Sequence, residues 1–214
     1  MIKVLAARDL TLHEVKQKFN LQFVEDPAFF PEWQVPEPSL SIHERWLLDK
    51  AKADFFYLDE YPLHEEIVKL VVLSPILSVA GFYGRPFCPV AERQVEIEVE
   101  ESEEWIRGRI DLLVLNEQIW VTVIEAKSKR FGVREALPQT LLYLLSETER
   151  RLAPPSSEGS PSYGLAMNGS EFLFVKSVRG EQLQYGFSRL FSLFNPGNEL
   201  GQVVGLLRAL TQRE

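Results

Sequence analysis

Apolar positions from Leu63 onward first recur at helical spacing. Leu63, Ile67, Leu70, Val71 and Ser74 form one stripe, predicting a helix that ends near Pro75 or continues past a kink there. The period then falls to two. In "RQVEIEVEE", Val95, Ile97 and Val99 alternate with Glu96, Glu98 and Glu100, which predicts a half-exposed strand with a solvated acidic face. Two more strands are expected in "GRIDLLVLNEQIWVTVIEAKSKR", joined across "NEQ". "GVREALPQTLLYLLSETERR" predicts a helix with Pro138 in its first turn. "YGLAMNGSEFLFVKS" predicts two strands about an "NGS" turn, and "NELGQVVGLLRALTQ" an amphipathic helix. Upstream, "LTLHEVKQKF" suggests a short helix. Ser41 with Glu44 makes a capping box for a helix through "IHERWLLDKAKADFFYL". "DPAFFPEWQVPEPSL", with prolines and aromatic anchors, suggests an irregular wrap over the core, and "APPSSEGSPS" a surface loop. The order from Leu63 is helix, three strands, helix, two strands, helix, without an internal repeat. It predicts an α/β fold: one compact domain with a mainly helical N-terminal extension over 1–62 packed on a core over 63–214.

Composition leaves this picture intact. The chain has 214 residues, 45% hydrophobic and 25% charged, which is ordinary for a globular domain. The longest apolar stretch, "IVKLVVLSPILSVAGF", is interrupted by Lys69 and Pro75, so no membrane span and no membrane partner are expected. "MIKVLAARDLTLHEVK" lacks the apolar core of a signal peptide, and the expected location is cytoplasmic. The single cysteine, Cys88, allows no intramolecular disulfide and reads as a small buried hydrophobe. His13, His43 and His64 are too scattered for a zinc motif.

Charge changes the picture more. The formal net charge of −8 argues against tight phosphate binding over the whole surface. It is unevenly spread: residues 92–104 hold seven Glu and one Arg, whereas 105–134 hold six basic and three acidic residues. A net-acidic chain of this kind can present a locally basic surface.

Within that second segment, Asp111, Glu125 and Lys127 interrupt runs too apolar for strands exposed along their length. If the loop spans Asn116 to Gln118, Leu115 lies opposite Ile119 and Asp111 opposite Val123. Asp111, Glu125 and Lys127 then share a face, with Glu125 diagonal to Asp111. A one-residue change in the loop would reverse the face of Asp111. Converging carboxylates repel unless one is protonated or a cation lies between them, and oxygen ligands suit Mg²⁺. An adjacent lysine could orient or deprotonate a metal-bound water, the set of parts that phosphodiester hydrolysis requires.

These residues resemble the PD-(D/E)XK nuclease superfamily, the restriction-endonuclease-like fold. "GRID", a spacing of fourteen, then "EAK" matches its signature, with Ile110 where the superfamily often has proline. The resemblance implies a mixed β-sheet core flanked by helices and a Mg²⁺-dependent nuclease acting on DNA, with Mn²⁺ able to substitute. It makes Asp111 and Glu125 metal ligands, Ala126 a donor through its carbonyl, and Lys127 the catalytic lysine. "QTLLY" resembles the Gln-x-x-x-Tyr element of the RecB-like branch, which sets Gln139 and Tyr143 toward the site. Gln139 would position lysine or DNA, and Tyr143 would join Lys129 and Arg130 near the substrate. For the superfamily's upstream acidic residue helical angle favours Glu66, with Glu65 the alternative; His64 is the nearby histidine. The resemblance covers about 63–177 and is nearest to the endonuclease-like part of type I restriction subunits and to stand-alone cyanobacterial proteins of that type. A fold-retaining subunit without catalysis, working through a protein partner or as a homodimer, is the alternative that the acidic strand favours.

Overall fold

The computed structural model describes residues 3–34, 36, 38–99, 104–116, 121–126, 132–150, 161–180 and 182–211; at 91–93, 110–116, 121–126, 146–150 and 211 the description is of the backbone. Nine strands form one mixed sheet: β1 (Lys3–Ala6), β2 (Gln22–Phe23), β3 (Phe87–Val99), β4 (Glu104–Asn116), β5 (Val121–Ala126), β6 (Ser162–Met167), β7 (Glu171–Arg179), β8 (Leu183–Phe187) and β9 (Phe191–Ser192). Their order is β1-β4-β5-β6-β7-β8-β2, with β3 paired to β4 and β9 to β7. The fold is α/β, as the change of period along the chain predicts.

The helices α1 (Leu12–Lys18), α2 (Ile42–Leu58), α3 (Glu65–Val68), α4 (Ser74–Ala80), α5 (Leu137–Arg150) and α6 (Leu200–Thr211) cover the sheet. Strand alternation produces two cores. Tyr163, Leu165, Met167, Phe172 and Phe174 of β6 and β7 pack with residues of α2, α4 and α6. Ala166, Leu173 and Val175, with Val95, Ile97 and Ile106, pack on the other face with α5 and with Val15 of α1. On β3 the predicted alternation is present: Val95, Ile97 and Val99 are buried, whereas Gln94, Glu96 and Glu98 are exposed.

Local chemistry starts the helices where expected. Thr11 and Ser41 each accept from the backbone of a glutamate three residues on, and that glutamate's carboxylate accepts from the cap backbone in return. Glu44 is used twice, since Arg208 of α6 also donates to it while donating to the Val79 carbonyl of α4. The helix predicted from Leu63 starts later, at Glu65, and runs through a π-helical turn, Lys69–Leu73, into α4. Pro75 lacks an N–H and crowds the carbonyl four residues back; the wider π turn takes up that mismatch without a break. The "NGS" turn joins β6 to β7 as predicted. Asn168 Oδ1 accepts from the Ser170 and Glu171 amides, and Gly169 has φ +100°, with a Cβ there lying only 2.9 Å from Phe55 and Val68 atoms.

The proline-rich wrap is fastened by a buried charge. Glu32 accepts from Lys176 at 2.8 Å and from the Tyr163 hydroxyl at 2.8 Å, while Lys176 also donates to the Phe29 carbonyl at 2.7 Å. Burial pushes the Glu32 carboxyl up, but these donors outweigh it and hold the acid below its ordinary value.

Three expectations are corrected. The segment 1–62 is not only a helical cover, because β1 pairs with β4 and β2 with β8, both in parallel, at the two ends of the sheet path. Strands of four and two residues carry too few positions to show alternation, and distant partners supply their pairing. β8 and β9 also lie beyond the two predicted C-terminal strands. Cys88 is exposed rather than buried, because it lies near the start of a long hairpin arm. The loop "APPSSEGSPS" spans 153–162; its first eight residues lie outside the described residues, and Ser162 opens β6. Among the described residues no helix is long and apolar enough to cross a membrane.

Glu104, at the start of β4, joins three elements: it accepts from Lys3 of β1 at 2.9 Å and from Lys18 of α1. The Lys18 and Lys3 bonds lower its carboxyl from 4.5 to about 2. A carboxyl depressed in the folded state stabilises the fold above its unfolded pKa, and that contribution fades as pH falls from about 4.5 toward 2. Glu104→Gln should therefore lower stability at neutral pH and flatten the loss of stability between about pH 4.5 and 2. Urea unfolding at a series of pH values measures both.

Candidate active site

The site is built on the middle of β4. β3 pairs with one edge of this strand along its length, from Val99 opposite Glu104 to Phe87 opposite Asn116. Two shorter strands share the other edge: β1 pairs with Glu104–Arg107 and β5 with Leu112–Leu115. Residues 108–111 lie between these two ladders, and there α5 supplies a substitute partner. The Tyr143 hydroxyl donates to the Arg109 carbonyl, while the Gln139 amide donates to that carbonyl at 3.4 Å and to the Tyr143 oxygen. A carbonyl left without a ladder is thus satisfied by side chains.

Glycine at 108 permits this approach. A Cβ there would lie 2.8 Å from Ala7 Cβ and 2.9 Å from Tyr143 Cε1. The "GRID" glycine therefore has a packing reason independent of catalysis: the bare backbone lets the ring of Tyr143 reach across to the next carbonyl.

Asp111 lies two residues beyond Arg109. β4 and β5 pair with Leu112 opposite Ile124, Leu113 opposite Val123 and Leu115 opposite Val121. The same register carried one step further sets Asp111 directly opposite Glu125. This corrects the expected pairing of Leu115 with Ile119 by two residues, because β5 begins at Val121. A two-residue shift preserves parity, so Asp111 and Glu125 still share a face, now as direct rather than diagonal neighbours. Directly opposed antiparallel positions are about 4.5–5.5 Å apart at Cα. β5 is held on its other edge by β6, in parallel, with Glu125 beside Ala166 and Ala126 beside Met167. Lys127, Lys129 and Arg130 lie outside the described residues.

A cleft of about 580 Å³ opens beside this stretch, lined by Arg107, Gly108 and Arg109 of β4, Gln94 and Glu96 of β3, Gln139 of α5, Ala6 at the end of β1 with Ala7 and Arg8 just after it, and Glu65. Glu65, not Glu66, reaches it. The expected arc was drawn from Leu63, but α3 begins at Glu65 with His64 as its cap, and the π turn alters the phase beyond; Glu66 is exposed elsewhere. Glu65 also pairs with Lys69 at 3.0 Å. His64 is exposed and its side chain does not cap the helix. Arg107 pairs with Glu96 at 2.8 Å, both side chains more than half exposed.

Gln139 and Tyr143 part company here. Gln139 lines the cleft, as expected of it. Tyr143 is fully buried, its hydroxyl spent on Arg109, and presents no surface to a substrate; four residues on one helix face suffice to set one in the cleft and one in the core. Arg8 was missed as a cleft residue, and nothing local in "AARDL" marks it. Its position follows from the distant pairing of β1 with β4.

Among the described residues no group of three or more His, Cys, Asp or Glu is placed to hold a metal, and the side chains of Asp111 and Glu125 are not among those described. The fit to a cation therefore rests on the register and donor type. Asp111, Glu125 and Glu65 are oxygen donors, the donor type that hard divalent ions take. No protein-family model matches the chain, and no curated protein matches it.

Two substitutions test the construction of β4. Gly108→Ala should cost about 1–3 kcal/mol through overpacking against Ala7 and Tyr143. Tyr143→Phe should cost about 1 kcal/mol, because the Arg109 carbonyl loses its main donor but keeps Gln139. Denaturant unfolding reads both, and equal stability of Gly108→Ala and wild type would contradict the close approach.

Proposed function

We propose that the protein is a divalent-metal-dependent nuclease that hydrolyses DNA phosphodiester bonds. The observation that carries this reading is the opposition of Asp111 and Glu125 across β4 and β5, at the point where the β4 edge passes from β5 to the side chains of α5. Further support comes from the context. The Asp–Glu-x-Lys element of the PD-(D/E)XK resemblance belongs between helices around three strands, and here α3–α4 precede β3–β5 and α5 follows.

In this reading Asp111 and Glu125 hold Mg²⁺ or Mn²⁺, aided by the Ala126 carbonyl and with Glu65 as the upstream acid. The ion, when bound, supplies positive charge at the phosphate and acidifies a bound water. The protein's own contributions are positional. The register holds two like charges close enough that a cation relieves their repulsion. Lys127, two residues after Glu125, orients the attacking water and offsets charge gathered on the phosphate. Gln139 is a positioning residue, holding the Arg109 carbonyl and Tyr143 so that β4 presents Asp111 in register. Lys129 and Arg130 would meet phosphates at the rim.

The exposed acidic row of Glu96 and Glu98 favours a second reading, a nuclease-fold subunit that binds a basic protein partner without cutting. Cleavage of single-stranded, duplex and flapped DNA with Mg²⁺ or Mn²⁺ separates the two. Asp111→Ala and Glu125→Ala should each lower cleavage by more than about 100-fold, the upper end of what outer partners of a metal ligand contribute. Lys127→Ala should abolish it without loss of stability. Cleavage that survives all three substitutions would exclude this site, and its absence on every substrate would favour the silent subunit.

A further inference from the structure

We propose that the cleft beside Asp111 is a phosphate track for a single nucleic-acid strand, in which Arg8 of the N-terminal segment acts together with Arg107 and Arg109 of β4. The inference deepens the nuclease reading by assigning the substrate's path. In a chain of net charge −8, three arginines line one cleft of about 580 Å³. A cleft of this size is of the order of small-ligand pockets. It suits a stretch of one strand and is too small for a duplex.

Arg107 and Arg109 are exposed alternate residues of one strand, so they share a face and lie about 6.6 Å apart along it. That separation is comparable with the spacing of successive phosphates. Asp111 lies a further two residues along the same strand. A nucleic-acid backbone laid along the two arginines therefore runs along β4 toward position 111. The Arg109 backbone is fixed through its carbonyl by Tyr143 and Gln139, which limits the motion of the guanidinium's base.

The ion pairs of Arg107 and Arg8 are exchangeable. Arg107 meets Glu96 at 2.8 Å and Arg8 meets Asp9 at 3.7 Å, with every side chain concerned at least half exposed. Exposed pairs of this kind are weak and salt-screened, whereas a guanidinium can bond a phosphate bidentately. Glu96 is thus a competitor for Arg107, occupying it until a phosphate arrives. Arg8 reaches the cleft because β1 lies in parallel along β4, Ala6 opposite Arg107, and the chain turns immediately afterwards.

The test is binding of a short fluorescein-labelled oligothymidylate, followed by anisotropy in EDTA over a series of salt concentrations. Each phosphate contact on a single strand contributes about 0.7 to the slope of log affinity against log salt. Arg8→Gln, Arg107→Gln and Arg109→Gln should each reduce that slope by about 0.7, and Arg45→Gln, on exposed α2, should leave it unchanged. Glu96→Gln should tighten binding severalfold by releasing Arg107, an effect that misfolding would not produce. Slopes unaltered by all three cleft substitutions, an equal effect of Arg45→Gln, or weaker binding by Glu96→Gln would overturn the proposal, as would tighter binding of the matching duplex. Asp111→Asn separates the two readings: it should stop cleavage without weakening binding in EDTA. Arginine-dependent binding without cleavage by wild type would sustain the track and defeat the nuclease, whereas cleavage with KM unchanged in the arginine variants would do the reverse.

Discussion

The Arg109 carbonyl is the point on which the architecture around the cleft turns. β4 is the spine of one end of the sheet, and its second edge is shared by β1 and β5, with a gap between them. Backbone polar groups in such a gap must find partners. Tyr143 and Gln139 meet the requirement, and glycine at 108 makes room for them. Three residues at distant positions are thereby coupled. The strand can leave one partner and take up another without an orphaned carbonyl, and the cleft opens where the ladder is interrupted.

The same interruption explains how charge is tolerated beside apolar strands. Away from the gap, β4 is bordered by full ladders. At the gap and beside it, Arg109 and Arg107 face solvent, and Asp111 lies where the register sets it against Glu125. Around this stretch the acidic and basic residues are distributed by role. Glu104 is tied down by Lys3 and Lys18 and holds β1 against β4, whereas Glu96 and Arg107 form an exposed pair that a ligand can exchange. Glu32 and Lys176 serve the opposite end, fastening the proline-rich wrap over the sheet. Ionic contacts in the interior fix the fold, and those at the cleft rim remain available.

The "GRID" and "QTLLY" motifs acquire a physical meaning that the resemblance did not supply. Gly108 and Tyr143 belong to one packing contact, and Gln139 bridges that contact to the cleft. Both side chains meet the backbone of β4 two residues before Asp111. A motif can therefore combine a residue that lines the cleft with one that never leaves the core.

Much of the fold was legible in the sequence wherever an element carries its own signal. Alternation marked β3, a capping box marked the start of α2, the "NGS" turn marked the β6–β7 hairpin, and the helical patterns marked α5 and α6. These features depend on neighbours within a few residues, so local chemistry determines them. The sequence also determined that Asp111 and Glu125 belong to adjacent strands. Only the tertiary structure decided their register, the entry of β1 and β2 into the sheet, the choice of Glu65 over Glu66, and the arrival of Arg8 at the cleft. Each depends on hydrogen bonds between residues far apart in the chain or on helical phase through a π turn. Such partners leave no periodic trace, because a short parallel strand or a carbonyl waiting for a tyrosine is completed by whatever the fold brings to it.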